Sequence, residues 1–179
     1  VRPLVLYRRA PCVLAPPEVR LGDLTIRSAK VAQTLAKAHT GVVFLATLGE
    51  AYDGAVDALQ AEGDTFSALL LEAYAAAGVH ALLLRFREWL RNGEWSCSEA
   101  WLLKEKRSCN EQSLRKEGRG VSRHYCPGYE GWPLEDNARL FHFLGASTRG
   151  FVLTEGMAVV PKKSLMGVLG LGTYGAKRG

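Results

Sequence analysis

Four cysteines, four histidines and a scatter of carboxylates carry most of the reactive side chains of this sequence. Cys12, Cys97, Cys109 and Cys126 are spaced by 85, 12 and 17 residues. A zinc centre from Cys97, Cys109, His124 and Cys126 would lack the C-x₂₋₄-C spacing that structural zinc sites use. A disulfide scaffold would be denser, so the four read as reduced thiols of a cytoplasmic protein. His39, His80, His124 and His142 mark out no triad. There is no G-x-x-x-x-G-K-[ST] loop, no G-x-S-x-G elbow and no H-E-x-x-H. Gly170-Leu-Gly172-Thr-Tyr-Gly175 matches G-x-G-x-x-G literally, but no helix follows to receive a pyrophosphate. Glu135 and Asp136 fall in a helical first turn, where carboxylates complement the helix dipole. No nucleophile or general base stands out. The chemistry left is binding, or the presentation of a reactive cofactor.

The elements that position these residues are read from periodicity. Leu4–Leu6 predicts a short strand within a proline-bearing lead-in over 1–25, and Arg20–Ile26 a turn between extended residues. Ser28 predicts the cap of a helix reaching about Lys37. The apolar run Gly41–Gly49 predicts a buried central strand. Glu50–Gly63 predicts a helix. Asp64-Thr65 then caps a long one from Phe66 to about Arg91, apolar on every side and so expected to be central and mostly buried, with a kink or break near Gly78. His80 is expected to be a satisfied core histidine. Pro133 opens a further helix through Leu134, Ala138, Phe141 and Leu144, stopped by Gly145. Phe151–Thr154 and Met157–Val160 predict strands broken at Glu155-Gly156. Pro161–Ser164 predicts a turn of solvated lysines, Val168–Leu171 a last strand, and residues 173–179 a loose tail.

The chain has 179 residues, 47% of them apolar, which suits one domain of about 100–200 residues with a real core. No window of 18 uncharged apolar residues occurs, so no membrane span is expected. Arg2, Arg8 and Arg9 spoil the apolar region a signal peptide needs. The net charge is +5, and seven basic residues against three glutamates place +4 of it between Lys104 and Arg123. Residues 92–123 therefore read as a basic surface segment. Aromatic side chains are scarce within it, so stacking platforms for nucleic acid are not supported. An acidic partner protein fits better, and neutralising Lys104, Lys106 and Arg107 is expected to weaken that association in low salt.

Several motifs carry a resemblance. They are Cys126-Pro-Gly-Tyr-Glu-Gly-Trp-Pro-Leu134, Leu140-Phe-x-x-Leu-Gly145, Gly150-Phe-Val-Leu-Thr-Glu155 and Pro161-Lys-Lys-Ser-x-x-Gly-Val-x-Gly-x-Gly172. Upstream stand Ile26-Arg-Ser28, Leu45-Ala-Thr-Leu-Gly49 and Glu62-Gly-Asp-x-x-x-Ala-Leu-Leu-Leu-Glu-Ala73. In this order, from about Ile26 to Gly172, the chain resembles the activation (reactivation) domain of vitamin B12-dependent methionine synthase in a short stand-alone form. The resemblance implies an α+β fold, a single domain with a curved, mainly antiparallel sheet and packed helices. It implies binding of S-adenosylmethionine and docking on a cobalamin-carrying methyltransferase subunit, with electrons from a flavodoxin-like reductase. The inactive Co(II) corrinoid would then be reductively methylated. The family's R-x-x-x-G-Y motif falls on Gly128 and Tyr129, with Pro127 matching. Its arginine falls on His124, and Arg123 stands one place earlier. Cys126 replaces a small residue whose backbone touches the ligand. Glu155 either caps a turn or faces the ligand, and Lys162 and Lys163 either stay solvated or meet a cobalamin protein. The family's acidic residue on the long helix falls near Leu84. A neutral imidazole cannot replace a guanidinium fork. These departures keep a second reading open: a docking or regulatory domain that has lost the ligand.

Overall fold

The computed structural model describes residues 3–92, 100–101 and 120–174. One antiparallel sheet dominates. Its strands are β1 (Leu4–Ala15), β2 (Glu18–Leu21), β3 (Leu24–Arg27), β4 (Ala38–Thr47), β5 (Ala100–Trp101), β6 (Gly120–Val121) and β9 (Ser164–Gly172). They lie in the order β3-β2-β1-β4-β9-β6, with β5 against β1. A separate hairpin joins β7 (Val152–Leu153) to β8 (Val159–Val160). The helices are α1 (Ala29–Thr34), α2 (Glu50–Ala61), α3 (Thr65–Asn92) and α4 (Asp136–Leu144), the last followed by a 3-10 turn over Ala146–Arg149.

The fold class is the expected one, α+β around an antiparallel sheet. β4 is central and is buried continuously from Gly41 to Thr47, because both of its faces are covered. On one face lie Leu6, Val43 and Leu45 with α1 and α4, among Leu35, Leu140, Phe143 and Trp132. On the other lie Val42, Phe44 and Ala46 with α3, through Val79, Leu83, Phe86 and Leu90. Alternation along β4 feeds the two cores in turn.

Several expectations are corrected. Leu4–Leu6 is only the start of a 12-residue strand. β1 pairs with β4 from Leu4 to Pro11 and with β2 from Cys12 to Ala15, so the lead-in builds the middle of the sheet. Gly78 does not break α3, which runs as one helix of 28 residues. A Cβ there would come within 3.2 Å of Leu48, so the glycine lets the helix pass that side chain. Nor is α3 buried all round. It buries Ala68, Ala75, Val79, Leu83, Phe86 and Leu90 and exposes Phe66, Leu69, Leu70, Tyr74 and Leu84. His80 is exposed, not a core residue. By length and composition alone α3 is long and apolar enough to cross a membrane, with 22% of the relevant stretch buried, although Glu72 and Arg85 keep it from holding 18 uncharged apolar residues in a row. The last strand begins at Ser164 rather than Val168.

The turn before β9 is tied down. Lys162 Nζ pairs with Asp57 at 3.0 Å, its amide donates to Asp53 at 2.8 Å, and Lys163 pairs with Glu72 at 3.8 Å. Thr173 and Tyr174 are not a loose tail. The Thr173 amide donates to the Lys37 carbonyl at 3.2 Å and the Tyr174 hydroxyl to the Thr34 carbonyl at 2.9 Å. Of the basic segment, 93–99 and 102–119 lie outside the described residues, as do 175–179. Gly120 and Val121 form strand rather than surface loop.

Candidate functional site

The residues singled out by sequence lie mostly on one stretch, Arg123–Tyr129, which leaves the sheet where β6 ends. Ser122 anchors its start. The buried hydroxyl of Ser122 accepts from the Gly170 amide at 2.8 Å and donates to the Arg123 carbonyl at 2.7 Å. Tyr125 then pairs with Val168 of β9 in both directions, at 2.9 and 2.8 Å. This close approach depends on Gly167. A Cβ there would run into the Tyr125 carbonyl oxygen and lie 2.8 Å from Cys126 Sγ. Gly167 and Gly172 of β9 therefore admit neighbouring backbone, and Gly170 admits the side chains of Tyr174, Ala38 and Leu35.

Past Cys126 the chain turns sharply. Tyr129 N–H donates to the Cys126 carbonyl at 3.3 Å, with Gly128 at φ +88°. Proline at the second place and glycine at the third make this a type II turn. Gly128 N–H donates to the Trp132 carbonyl at 2.9 Å, closing the loop. The Tyr125 hydroxyl donates to the Glu130 carbonyl, and the Tyr125 and Trp132 rings stack with centroids 6.1 Å apart. Trp132 Nε1 donates to Asp136 at 2.7 Å, so Asp136 holds the loop as well as opening α4. Ser28 caps α1 by accepting from Val31 at 3.3 Å and also donates to the Gly131 carbonyl at 2.6 Å. The sequence shows the cap but not this second bond, because the partner is 103 residues away.

On this frame the candidates differ in character. Tyr129 is 46% exposed, with its ring 5.8 Å from that of Tyr125. Pro127 is buried and Arg123 is exposed. Cys126 is buried, and burial pushes its thiol up to about 12, which keeps it protonated and a poor nucleophile at neutral pH. Among the described residues no group of His, Cys, Asp and Glu could hold a metal ion. His124 turns toward α3, its ring 6.3 Å from Phe44 and 6.1 Å from His80. Its Nδ1 is buried without a hydrogen-bond partner. Burial first, then Arg87, then His80, hold this imidazole below its ordinary pKa. Glu155 is exposed in the β7–β8 turn, and none of the described hydrogen bonds joins it to the Arg123–Tyr129 stretch. Leu84 is exposed on α3.

Sequence reasoning missed Arg87. It lies on α3 on the same side as His124, and its Nε is buried without a partner. Burial, then Arg91, then Arg123, pull its guanidinium down from its ordinary value. One arginine on a helix gives no periodic signal, so nothing in the sequence marks it. A separate open groove of about 380 Å³ lies between the β2–β3 turn and α4, lined by Asp23, Arg139, His142 and Phe143 among others. It shares no residue with the loop.

Comparison with curated proteins gives no match. Among solved structures the chain is similar to the MetH reactivation domain, crystallised bound to AdoHcy. The two share 18% identity and a TM-score of 0.65, over 95% of this chain and 58% of that one. The chain thus spans under two thirds of that protein's length. The Cys126–Trp132 loop and the glycine-bearing strand beside it fall within residues 29–174, the stretch matched by one family model, and the Ser28 cap stands immediately before that stretch. On that match this chain belongs to the family described as vitamin B12 dependent methionine synthase, activation domain.

Proposed function

We propose that this chain is an activation-type module. It binds S-adenosylmethionine along Arg123–Tyr129 and docks on a cobalamin-carrying methyltransferase. There it supports the return of an inactive Co(II) corrinoid to its methylated form. The observation that carries this reading is the coincidence of the family's G-Y motif with an anchored turn that offers Tyr129 at the surface. A related domain carries AdoHcy, the demethylated form of the same ligand. The residues suit such a ligand. The exposed Tyr129 ring gives a face to a flat heterocycle, and the orphaned Nδ1 of His124 lies on the same stretch. Arg123 supplies a guanidinium for the ligand's carboxylate.

When bound, S-adenosylmethionine supplies the methyl group, the partner's cobalamin accepts it, and a flavodoxin-like reductase supplies the electron. The protein's part is positioning and electrostatics, which agrees with the absence of any recognised acid–base motif. Calorimetry with S-adenosylmethionine tests the binding. Saturable heat at micromolar to low-millimolar concentration is expected. Mixing with the cobalamin subunit, a reductant and S-adenosylmethionine should accelerate recovery of methylcobalamin.

One observation favours a second reading. Leu84 leaves an exposed apolar side chain near the place where the family has an acidic one. Calorimetric silence with retained binding to the cobalamin subunit would identify a docking domain that has lost the ligand.

A further inference from the structure

The side of α3 that carries Val79, Leu83, Phe86 and Leu90 is spent on the sheet. Phe66, Leu69, Leu70, Tyr74 and Leu84 recur at helical spacing on the opposite side and are exposed, Phe66 by 76% and Tyr74 by 70%. Ala73, Ala77 and Ala81 continue the same stripe between them and are exposed too. No Asp, Glu, Lys or Arg is exposed between Phe66 and Leu84. The five large side chains alone leave on the order of 600 Å² of apolar surface open, the upper end of what an ordinary monomer shows in its largest patch. Two such faces together would bury on the order of 1,200 Å², within the range of specific interfaces.

The charges at the two ends say what covers this face. Glu62 and Asp64 are exposed where the stripe begins, and Arg85 and Arg91, against Glu88 alone, where it ends. A face with one acidic and one basic end is complementary to itself when turned end for end. A helix lying on an anionic membrane instead carries Lys and Arg along its flanks. The acidic end opposes that, as does Glu72, paired with Lys163 at 3.8 Å.

We propose that α3 is the contact surface of a homodimer, in which the α3 of a second copy of this chain lies antiparallel across it. With the two-fold axis near Ala77, Leu70 of each copy meets Leu84 of the other, and Ala73 meets Ala81. Small side chains at the centre let the helix axes approach to about 8 Å. Tyr74 and His80, the polar groups of the face, come opposite each other, and Glu62 comes beside Arg91. Such a contact closes on itself and leaves no copy of the face uncovered. The Arg123–Tyr129 stretch takes no part in it, so the inference stands apart from the ligand reading.

Sedimentation equilibrium of the chain from about 1 to 200 µM tests the contact. A mass rising toward twice the 19.6 kDa of one chain is expected. L70K and Y74K each put a charge into the middle of the contact and should weaken association by roughly tenfold or more. Both positions are exposed, so the circular dichroism should stay that of the parent, and either variant serves should the other fold poorly. A single-chain mass across the whole range overturns the proposal, whether the face then takes up vesicles of phosphatidylcholine and phosphatidylserine or the cobalamin-carrying subunit. A dimer indifferent to both substitutions overturns it as well. With Cys12, Cys97 and Cys109 replaced by serine, oxidised A77C should link two copies through a disulfide. F66C should not, because its two sulfurs would stand about 33 Å apart along the helices. Any other cross-linking result overturns the antiparallel arrangement.

Discussion

The seating of Arg123–Tyr129 on β9 predicts the effect of a single methyl group. In Gly167→Ala the new Cβ meets the Tyr125 carbonyl oxygen and comes within 2.8 Å of Cys126 Sγ. A sulfur at the end of a side chain can rotate away, but a carbonyl oxygen engaged in pairing cannot. Overpacking of this kind costs about 1–3 kcal/mol. Relief by shifting Tyr125 would also break its two bonds to Val168, each worth about 0.5–1.5 kcal/mol net. A loss of about 3 kcal/mol follows. At about 2–4 °C per kcal/mol for a chain of this size, the midpoint should fall by about 6–12 °C. Urea denaturation and amide exchange read the two parts separately. Stability should fall, and the Tyr125 and Val168 amides should lose protection well before those of β4. Gly54→Ala is the matched control. It sits in α2 with nothing within 4 Å of the new Cβ, and should be stabilising by about 0.5–1 kcal/mol. If Gly167→Ala stays within about 0.5 kcal/mol of the parent with those amides still protected, the account of the seat is wrong.

Other perturbations follow from the same geometry. Ser28→Ala removes the α1 cap and the bond to Gly131 together, and should cost about 1–2 kcal/mol by denaturant titration while raising exchange at Gly131. His124 has a folded pKa below its unfolded value, so unfolding takes up a proton below about 6.5. Stability should thus be fully present above that pH and fall as pH drops through the folded pKa, and His124→Asn should flatten this slope. Cys126, buried and raised to about 12, should resist iodoacetamide at about pH 8 in the native state and react on unfolding, while the partly exposed Cys12 reacts faster. Tyr129→Ala should leave the melting curve nearly unchanged and weaken S-adenosylmethionine binding by roughly tenfold, as loss of a ring stacked on a flat heterocycle would.

Elements whose local chemistry and tertiary role agree were legible in the sequence. β4 reads as a continuous apolar run because both faces are buried. The Ser28 cap, the Pro127-Gly128 turn and the Gly145 stop of α4 are set by residues within four places of each other. The buried face of α3 is not legible in the sequence because alanines and leucines on every side give no preferred face, so packing decides which six residues are covered. The full length of β1 is hidden in the sequence because Arg8, Arg9 and Pro11 interrupt its apolar pattern. Yet Arg8 reaches across to the Phe143 carbonyl at 3.0 Å, and Pro11 still keeps its place opposite Thr40. At the site, Arg123–Tyr129 could be found by motif, since its turn is local. Arg87 could not, because its importance comes from which side chains the sheet and α3 bring beside it.

The position of β9 has a consequence for how the molecule is made. β9 lies between β4 and β6, yet comes after both in the chain. Phe44 and Gly167 are partners across 123 residues of sequence. When β4 and the Cys126–Trp132 loop leave the ribosome, the strand that joins them has not yet emerged. Closing so long a connection carries an entropic cost that is repaid only once Ser164–Gly172 arrives. Until then one edge of the most apolar strand is an open template for pairing. The candidate site is thus among the last parts of the protein to form. Nascent chains stalled before Ser164 should already hold the β1–β2–β3 meander but present neither the seated turn nor the His124 environment.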